Sequence, residues 1–500
     1  MKLEIRIKGY IGNQWFFKEN IYTIGYAFVN NHYYDNIALN ELFSRINNIN
    51  QFSNLLAEIF GEFSVIINKV DLQCLAVNHT RKFPLLFSEK SNTVFVQDYI
   101  EETNDLNNEQ VVIFKQLFTS DGNATIFNNW QTLLSNQFAY ITDNQFIIEQ
   151  YRNYFKSVKK EFTFDEIDHT LSKVFERYDR LLKDNHIYIT LSGGYDSRLV
   201  LCKLIEYYPK EKITCITYGN PDSIDVKTAK AIVKKLSLKH IFIEYNKDTF
   251  STFFSEHFKN YVLNNHFGTQ ISTEQNYYAL HYLKSNQLIP QDSVFINGIF
   301  GDGVAGEALD TNIIKDIRAY ILKKHNVSSN SKFKLSDNLD NYENWHAQNR
   351  MFKFLSCANA TFESFGYKVI SPLGDNEWIA LWTSMSKNNR LHANMYKKYI
   401  FNNFFIPLDI AFIKDESIKY SKLKNKLKDK LPKYIQYVLK KMKSKITKQH
   451  SLCNYDILYD MVYNHMNVKP NKDYNFNHIF ALYMLELIEE QKQINIKQSF

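Results

Sequence analysis

The sequence predicts a mixed α/β chain in two parts: an antiparallel, β-rich domain over residues 1–155, then a mostly parallel α/β domain over 156–500 with a helical C-terminal extension. Three observations lead there. Short β-branched and aromatic runs crowd the first part at close spacing, whereas strand and helix periodicities alternate from residue 187 onward. The 500 residues are 45% hydrophobic and 15% aromatic, enough for more than one buried core despite a mean hydropathy of −0.37, which excludes a disordered chain.

Taken in order, "MKLEIRIKGY" alternates charged and apolar residues with the period of a half-buried strand, and no apolar h-region follows, so no signal peptide is expected. "FGEFSVIINK" (60–69), "QCLAVNHT" (73–80), "FPLLFSE" (83–89) and "TVFVQD" (93–98) read as strands divided by polar turns. "IYIT" (187–190) is the first strand of the second part, and Val200, Leu201, Leu204, Ile205 and Tyr208 then recur at helical spacing. "ITCITY" (213–218) follows; Val226, Ala229, Val233 and Leu236 mark a helix, and "HIFIEY" (240–245) and "SVFIN" (293–297) are further strands. Strand, helix, strand, helix implies right-handed crossovers and a parallel sheet. The five cysteines, Cys74, Cys202, Cys215, Cys357 and Cys453, are scattered without metal-ligand spacing, as expected of reduced thiols in a cytoplasmic protein. No run of 18 apolar residues occurs, so no transmembrane segment is expected.

The chemistry-bearing segment is "IYITLSGGYDSRLVLCKLI" (187–205). A strand enters Leu191, Ser192, Gly193, Gly194, Tyr195, Asp196 and Ser197, and a helix starts at once. Two glycines allow close backbone approach, and amide groups at a helix N-terminus favour an anion. Asp196 within such a cradle would repel a phosphate unless a divalent cation lay between them, so the pattern points to Mg²⁺ and a polyphosphate together. A small-residue turn joining strand to helix is the plainer alternative.

This segment resembles the pyrophosphate-binding "SGGxDS" loop of the ATP pyrophosphatases, and is most similar to that of the asparagine synthetase family, with ATP and Mg²⁺ as the implied cofactors. The likeness extends over residues 187–415. "ITCITYGNPDSIDVKTAKAIVKKLSLKHIFIEY" (213–245) resembles the family's second strand–helix–strand unit, which implies adenine contact at the strand end, near Tyr218. "FINGIFGDGVAGE" (295–307) falls on its glycine-rich loop, with Gly298 in the nucleotide site and Asp302 as the second metal-associated aspartate beside Asp196. "YKVISPLGDNEWIALW" (367–382) resembles its "PxxD" helix entry, and "MYKKYIFNNFF" follows. The implied reaction adenylates a small-molecule or peptide carboxylate with release of pyrophosphate, then couples it to ammonia or an amine. An essential lysine is implied downstream of a proline. Lys414, seven residues beyond Pro407, is the first candidate, and Lys397 and Lys398 are its competitors.

The departures are as informative. Where the family has a glutamate three residues before the second aspartate, this chain has Ile299, which cannot take a proton. Ring-closing relatives, the β-lactam synthetases and lasso-peptide cyclases, also depart there. "LLAEIFGEFSVIIN" and "LAVNHTRKFPLLF" resemble the class II glutamine amidotransferase domain, which implies an Ntn-hydrolase-like αββα fold for the first part. That family uses an N-terminal cysteine, whereas Lys2 follows Met1 here and the nearest cysteine is Cys74, so loss of glutaminase activity is expected. The resulting expectation is an ATP-dependent, amide-forming ligase, with a non-catalytic scaffold as the alternative. "HFGTQ" (266–270) is either part of a substrate-pocket wall or loop packing.

The net charge of +7 is local. Lys419–Lys448 holds twelve lysines against one acid, Asp429, a net +11, and the rest of the chain is then −4. Nucleic-acid binding is therefore not expected; this segment is a solvated face or the dock of an anionic partner. A homodimer is a further expectation.

Overall fold

A computed structural model gives the structure of residues 1–10, 12–100, 105–142, 145–156, 159–272, 275–309, 339–412, 453–466 and 475–498. The protein is mixed α/β, with antiparallel and parallel sheets both present.

The strands before residue 151 are β1 (Lys2–Arg6), β2 (Phe16–Lys18), β3 (Ile21–Val29), β4 (His32–Asp35), β5 (Phe60–Asn68), β6 (Gln73–Val77), β7 (Leu86–Lys90), β8 (Thr93–Gln97), β9 (Gln131–Thr132), β10 (Gln137–Thr142) and β11 (Gln145–Gln150). They form two sheets, ordered β1-β8-β7-β9 and β11-β10-β6-β5-β3-β2, with β4 added on β3. All pairs are antiparallel except β1 with β8. Alternation along β5 and β6 explains the layering. Ile66, Leu75 and Val77 point to Phe87, Val94 and Val96 of the smaller sheet, whereas Val65, Ile67 and Cys74 point to Phe43, Phe52 and Leu56 of the helices Asn36–Ser44 and Ile49–Glu58.

The second part begins with a helix, Phe164–Leu182, whose start is fixed by a capping box: Glu166 N–H donates to Thr163 Oγ1 (3.2 Å) and Thr163 N–H to Glu166 Oε2 (2.8 Å). Then come β12 (Ile187–Thr190), β13 (Ile213–Gly219), β14 (Lys239–Glu244), β15 (Val294–Ile296) and β16 (Lys368–Ile370), in the order β14-β13-β12-β15-β16, every pair parallel. Helices cover both faces. Ile187, Ile189, Val294 and Ile296 meet the layer containing Phe164–Leu182 and Tyr195–Tyr207, while Tyr188 and Phe295, one residue out of phase, meet the helices Glu256–Asn265, Tyr277–Ser285, Tyr455–His465 and Phe476–Gln498. The order reverses between β12 and β15, and the carboxyl ends of strands at such a reversal leave a crevice.

All five cysteines are buried, and none is in a disulfide among the described residues. Among the described residues no helix is long and apolar enough to cross a membrane. Lys414 and the Lys419–Lys448 segment lie outside the described residues.

Candidate functional site

The crevice is a cavity of about 670 Å³, lined by the loops that follow β12, β13 and β15. Leu191, Ser192, Gly194, Asp196 and Ser197 line it from the first loop, Tyr218 from the end of β13, and Gly298 and Asp302 from the third loop. Gly193 is buried in the turn and is not among the lining residues.

The first loop braces itself. Ser197 Oγ accepts from Ser192 N–H (3.1 Å) and lies 3.0 Å from Ser192 Oγ, and Gly194 N–H donates to Ser192 Oγ (3.1 Å). The helix Tyr195–Tyr207 starts directly after Gly194, and no side chain caps it. Its first turn, Tyr195 to Ser197, lines the crevice with amides that no side chain caps, a setting that suits an anion once the Asp196 charge in the same turn is balanced.

Asp196 and Asp302 meet there. Asp302 N–H lies 3.1 Å from each carboxylate oxygen of Asp196, and the Tyr396 hydroxyl donates to Asp196 Oδ1 (2.6 Å). Removal from water, then the neighbouring Asp302 carboxylate, push the Asp196 carboxyl well above its usual range. Asp302 is raised too, first by burial and then by Glu307, with Lys397 opposing. Two crowded carboxyls are a natural pair to share a cation; among the described residues no cluster of three or more His, Cys, Asp or Glu is disposed to hold one.

Glycine is required at two places. A Cβ on Gly298 would lie 2.6 Å from the Asp196 carbonyl carbon and the Ser197 nitrogen, and one on Gly301 would lie 2.5 Å from the Asp196 carboxyl carbon. The third loop is shaped from beneath by Asn297, whose Oδ1 accepts from Ser371 Oγ (2.9 Å) and Ile299 N–H (3.3 Å) and whose Nδ2 donates to Asn359 Oδ1 (3.0 Å). Phe300 is held at φ 81°, a left-handed conformation uncommon for a non-glycine residue.

Of the lysines that compete with Lys414, Lys397 ion-pairs with Glu307, donates to the His392 carbonyl (2.8 Å) and exerts its charge on Asp302, whereas Lys398 is exposed. Ile299 lines the cavity, so the apolar side chain sits where a proton acceptor was missed. "HFGTQ" is loop packing: Gly268 and Thr269 carbonyls accept from Ile126 and Ser120 N–H, and no residue of 266–270 lines the cavity.

Tyr396, Asn297, His346, Arg350, Met351 and Phe354 belong to the site without having been picked out from the sequence. Tyr396 lies within "MYKKYIFNNFF", where the lysines drew attention, and Asn297 within "FINGIFGDGVAGE", where the glycines and Asp302 did; the other four come from a segment with no motif.

No family model matches this chain, and no curated protein matches it. Among solved structures it is similar to the glutamine phosphoribosylpyrophosphate (PRPP) amidotransferase from B. subtilis complexed with ADP and GMP, at 12% identity and a TM-score of 0.18. The match covers 61% of this chain and 60% of that one, so the chain spans about three-fifths of that protein's length. The likeness is distant, and the fold described above rests on this chain's own sheets.

Proposed function

We propose that the protein is an ATP-dependent, AMP-forming amide ligase of asparagine synthetase-like type. The observation that carries this reading is the meeting of Asp196 and Asp302 beside an uncapped helix N-terminus at the sheet's reversal point. The donor set fits Mg²⁺, an ion bound by one or two carboxylates together with substrate phosphates and water. Asp196 and Asp302 would hold it, and when bound it supplies neutralisation of charge on the departing pyrophosphate.

The chain's own residues supply the rest. Amides of the Ser192–Ser197 loop receive phosphate oxygens, Leu191 and Tyr218 flank the nucleotide at the strand ends, and Lys397 offers a cation at the Asp302 side. With the nucleotide so held, a substrate carboxylate attacks the α-phosphorus, the α–β bridge breaks, and pyrophosphate leaves with the electron pair. Ammonia or an amine then attacks the acyl carbon and AMP departs. Ile299 cannot accept the amine's proton, so the nucleophile arrives as the neutral amine and the proton it sheds on forming the amide passes to solvent or to the departing AMP phosphate; this favours, as a second reading, ring closure by an amine of the same molecule, positioned without a dedicated base. Glutamine is not the nitrogen source in this reading. Cys74 is fully buried in β6 and its thiol pKa is pushed far up by burial, so it is no nucleophile.

The test is carboxylate-dependent release of pyrophosphate from ATP over a panel of amino, sugar and peptide acids. Release that disappears in Asp196→Ala is the expected result. Absence of both ATP binding and release across the panel would sink the reading in favour of a scaffold.

A further inference from the structure

A second wall of the cavity belongs to no strand. It is formed by the π-helical turn Ala347–Met351 and the helix Phe352–Ser364 that continues it, and π-turns inside helices recur at functional sites. Arg350, Phe354 and Ala358 follow at intervals of four and all line the cavity, with Met351 beside them. The wall begins close to the carboxylate pair, since a Cβ on Gly303, the residue after Asp302, would come within 3.2 Å of Met351 Sδ.

Arg350 is the notable member. One guanidinium nitrogen donates to the Leu117 carbonyl, and Cζ lies 5.3 Å from the Phe354 ring centroid. The remaining donors meet no acceptor and no carboxylate among the described residues. Burial pulls its pKa down to about 10, so the charge is costly where it stands and an arriving anion would offset that cost. A planar guanidinium matches a carboxylate two donors to two acceptors, and the adjoining thioether and aromatic side chains present apolar surface.

We propose that Arg350, framed by Met351 and Phe354, selects an acceptor that carries a second oxyanion on an apolar or aromatic body, apart from the carboxylate that reacts. The identity of the reacting carboxylate rests on the ligase reading above; recognition of the second anion does not. The same chemistry could be met by a nucleotide phosphate, so the two sources must be separated.

The experiment is calorimetric titration of the full chain at neutral pH with phenylsuccinate, succinate, 3-phenylpropanoate and aspartate, and separately with Mg²⁺ and α,β-methylene-ATP. Phenylsuccinate is expected to bind about tenfold or more tighter than 3-phenylpropanoate, which lacks one carboxylate, and than succinate, which lacks the ring. Arg350→Gln should erase the first margin and Phe354→Ala the second, with nucleotide affinity kept within about twofold. The proposal is overturned if the wild-type protein shows neither margin, if aspartate binds as tightly as phenylsuccinate, if Arg350→Gln keeps the carboxylate margin, or if it weakens the nucleotide instead. The wild-type margins decide the matter even should both variants fail to fold. Failure of the wild-type protein to bind the nucleotide analogue would count against the ligase reading alone, because the phenylsuccinate titration is read without it.

Discussion

Asp196 is the residue on which the site turns, since it touches both neighbours that define it. The Tyr396 phenol is itself pushed above its usual range by burial and by Asp196, so it stays protonated and can only donate to that carboxylate. Tyr396→Phe should therefore free the carboxylate to rotate and weaken Mg²⁺-dependent binding of α,β-methylene-ATP about tenfold, read by calorimetry; unchanged affinity would mean that the phenol does not orient Asp196. Gly298→Ala places a methyl group against backbone rather than against a flexible side chain. It should cost roughly 1–3 kcal/mol in urea unfolding and abolish nucleotide binding. Asp196 stood out in the sequence as a carboxylate inside a glycine-rich turn that opens a helix, whereas Asp302 was singled out by the family resemblance of its loop, and neither signal by itself brings the two together. Tyr396 was not, because its helix, Asn394–Ile400, lies far along the chain and only folding brings it to Asp196.

At the scale of elements, the third loop is held from behind by the entry to the helix Asn376–Ser384. Asp375 caps that helix by accepting from Glu377 N–H (2.9 Å), and it pairs with Arg177 at 2.6 Å, with both side chains under 5% exposed. Arg177→Met would strand the Asp375 charge in the interior and should cost about 3–5 kcal/mol by denaturant titration; Asp375→Asn combined with it should recover much of the loss. A loss near zero for the single variant would show that the pair is solvated. The strands that the sequence picked out lie within a few residues of their observed bounds: β5 and β12 have the expected starts, and β14 and β15 lie within one residue of theirs, whereas β2 to β4, β9 to β11 and β16 were not picked out. Phe164–Leu182 also has its signals in the sequence, a T-x-x-E start at Thr163 and an apolar stripe from Ile167 to Leu182, though it carries no chemistry-bearing motif. The π-turn at Ala347–Met351 has no such signature, since a one-residue change of helical pitch is decided by what the flanking side chains pack against.

Across the whole molecule, buried groups from distant segments meet. Lys82 lies between Glu62 (2.6 Å) and Glu363 (2.8 Å), and the His79 ring Nε2 lies 2.5 Å from the Gly374 carbonyl. Burial holds His79 neutral with its pKa pulled down to about 3, and His266 likewise to about 4. The unfolded chain takes up these protons below about pH 6.5 and the folded chain does not, so stability is intact above that pH and declines as pH falls towards 4. Each histidine should remove ~2 kcal/mol by pH 5, and the difference in urea-unfolding free energy between pH 7 and pH 5 should shrink by about half that sum in His79→Gln. A pH slope unaltered by His79→Gln would place the loss elsewhere. Such meetings were out of reach of the sequence, because they depend on which loops the topology brings face to face. The wall bearing Arg350 is one of them. Asn349 accepts from Gly122 N–H (2.7 Å), Lys353 donates to the Ser120 and Gly122 carbonyls (2.8 and 3.0 Å), and Gln348 donates to the Ser135 carbonyl (3.0 Å), so residues from the first part fasten it in place. The first part thus serves as a mechanical support for the wall. And since that wall shares no strand with the Asp196 loop, its side chains can be exchanged without moving the backbone that shapes the loop, which makes the two sides of one cavity separately adjustable.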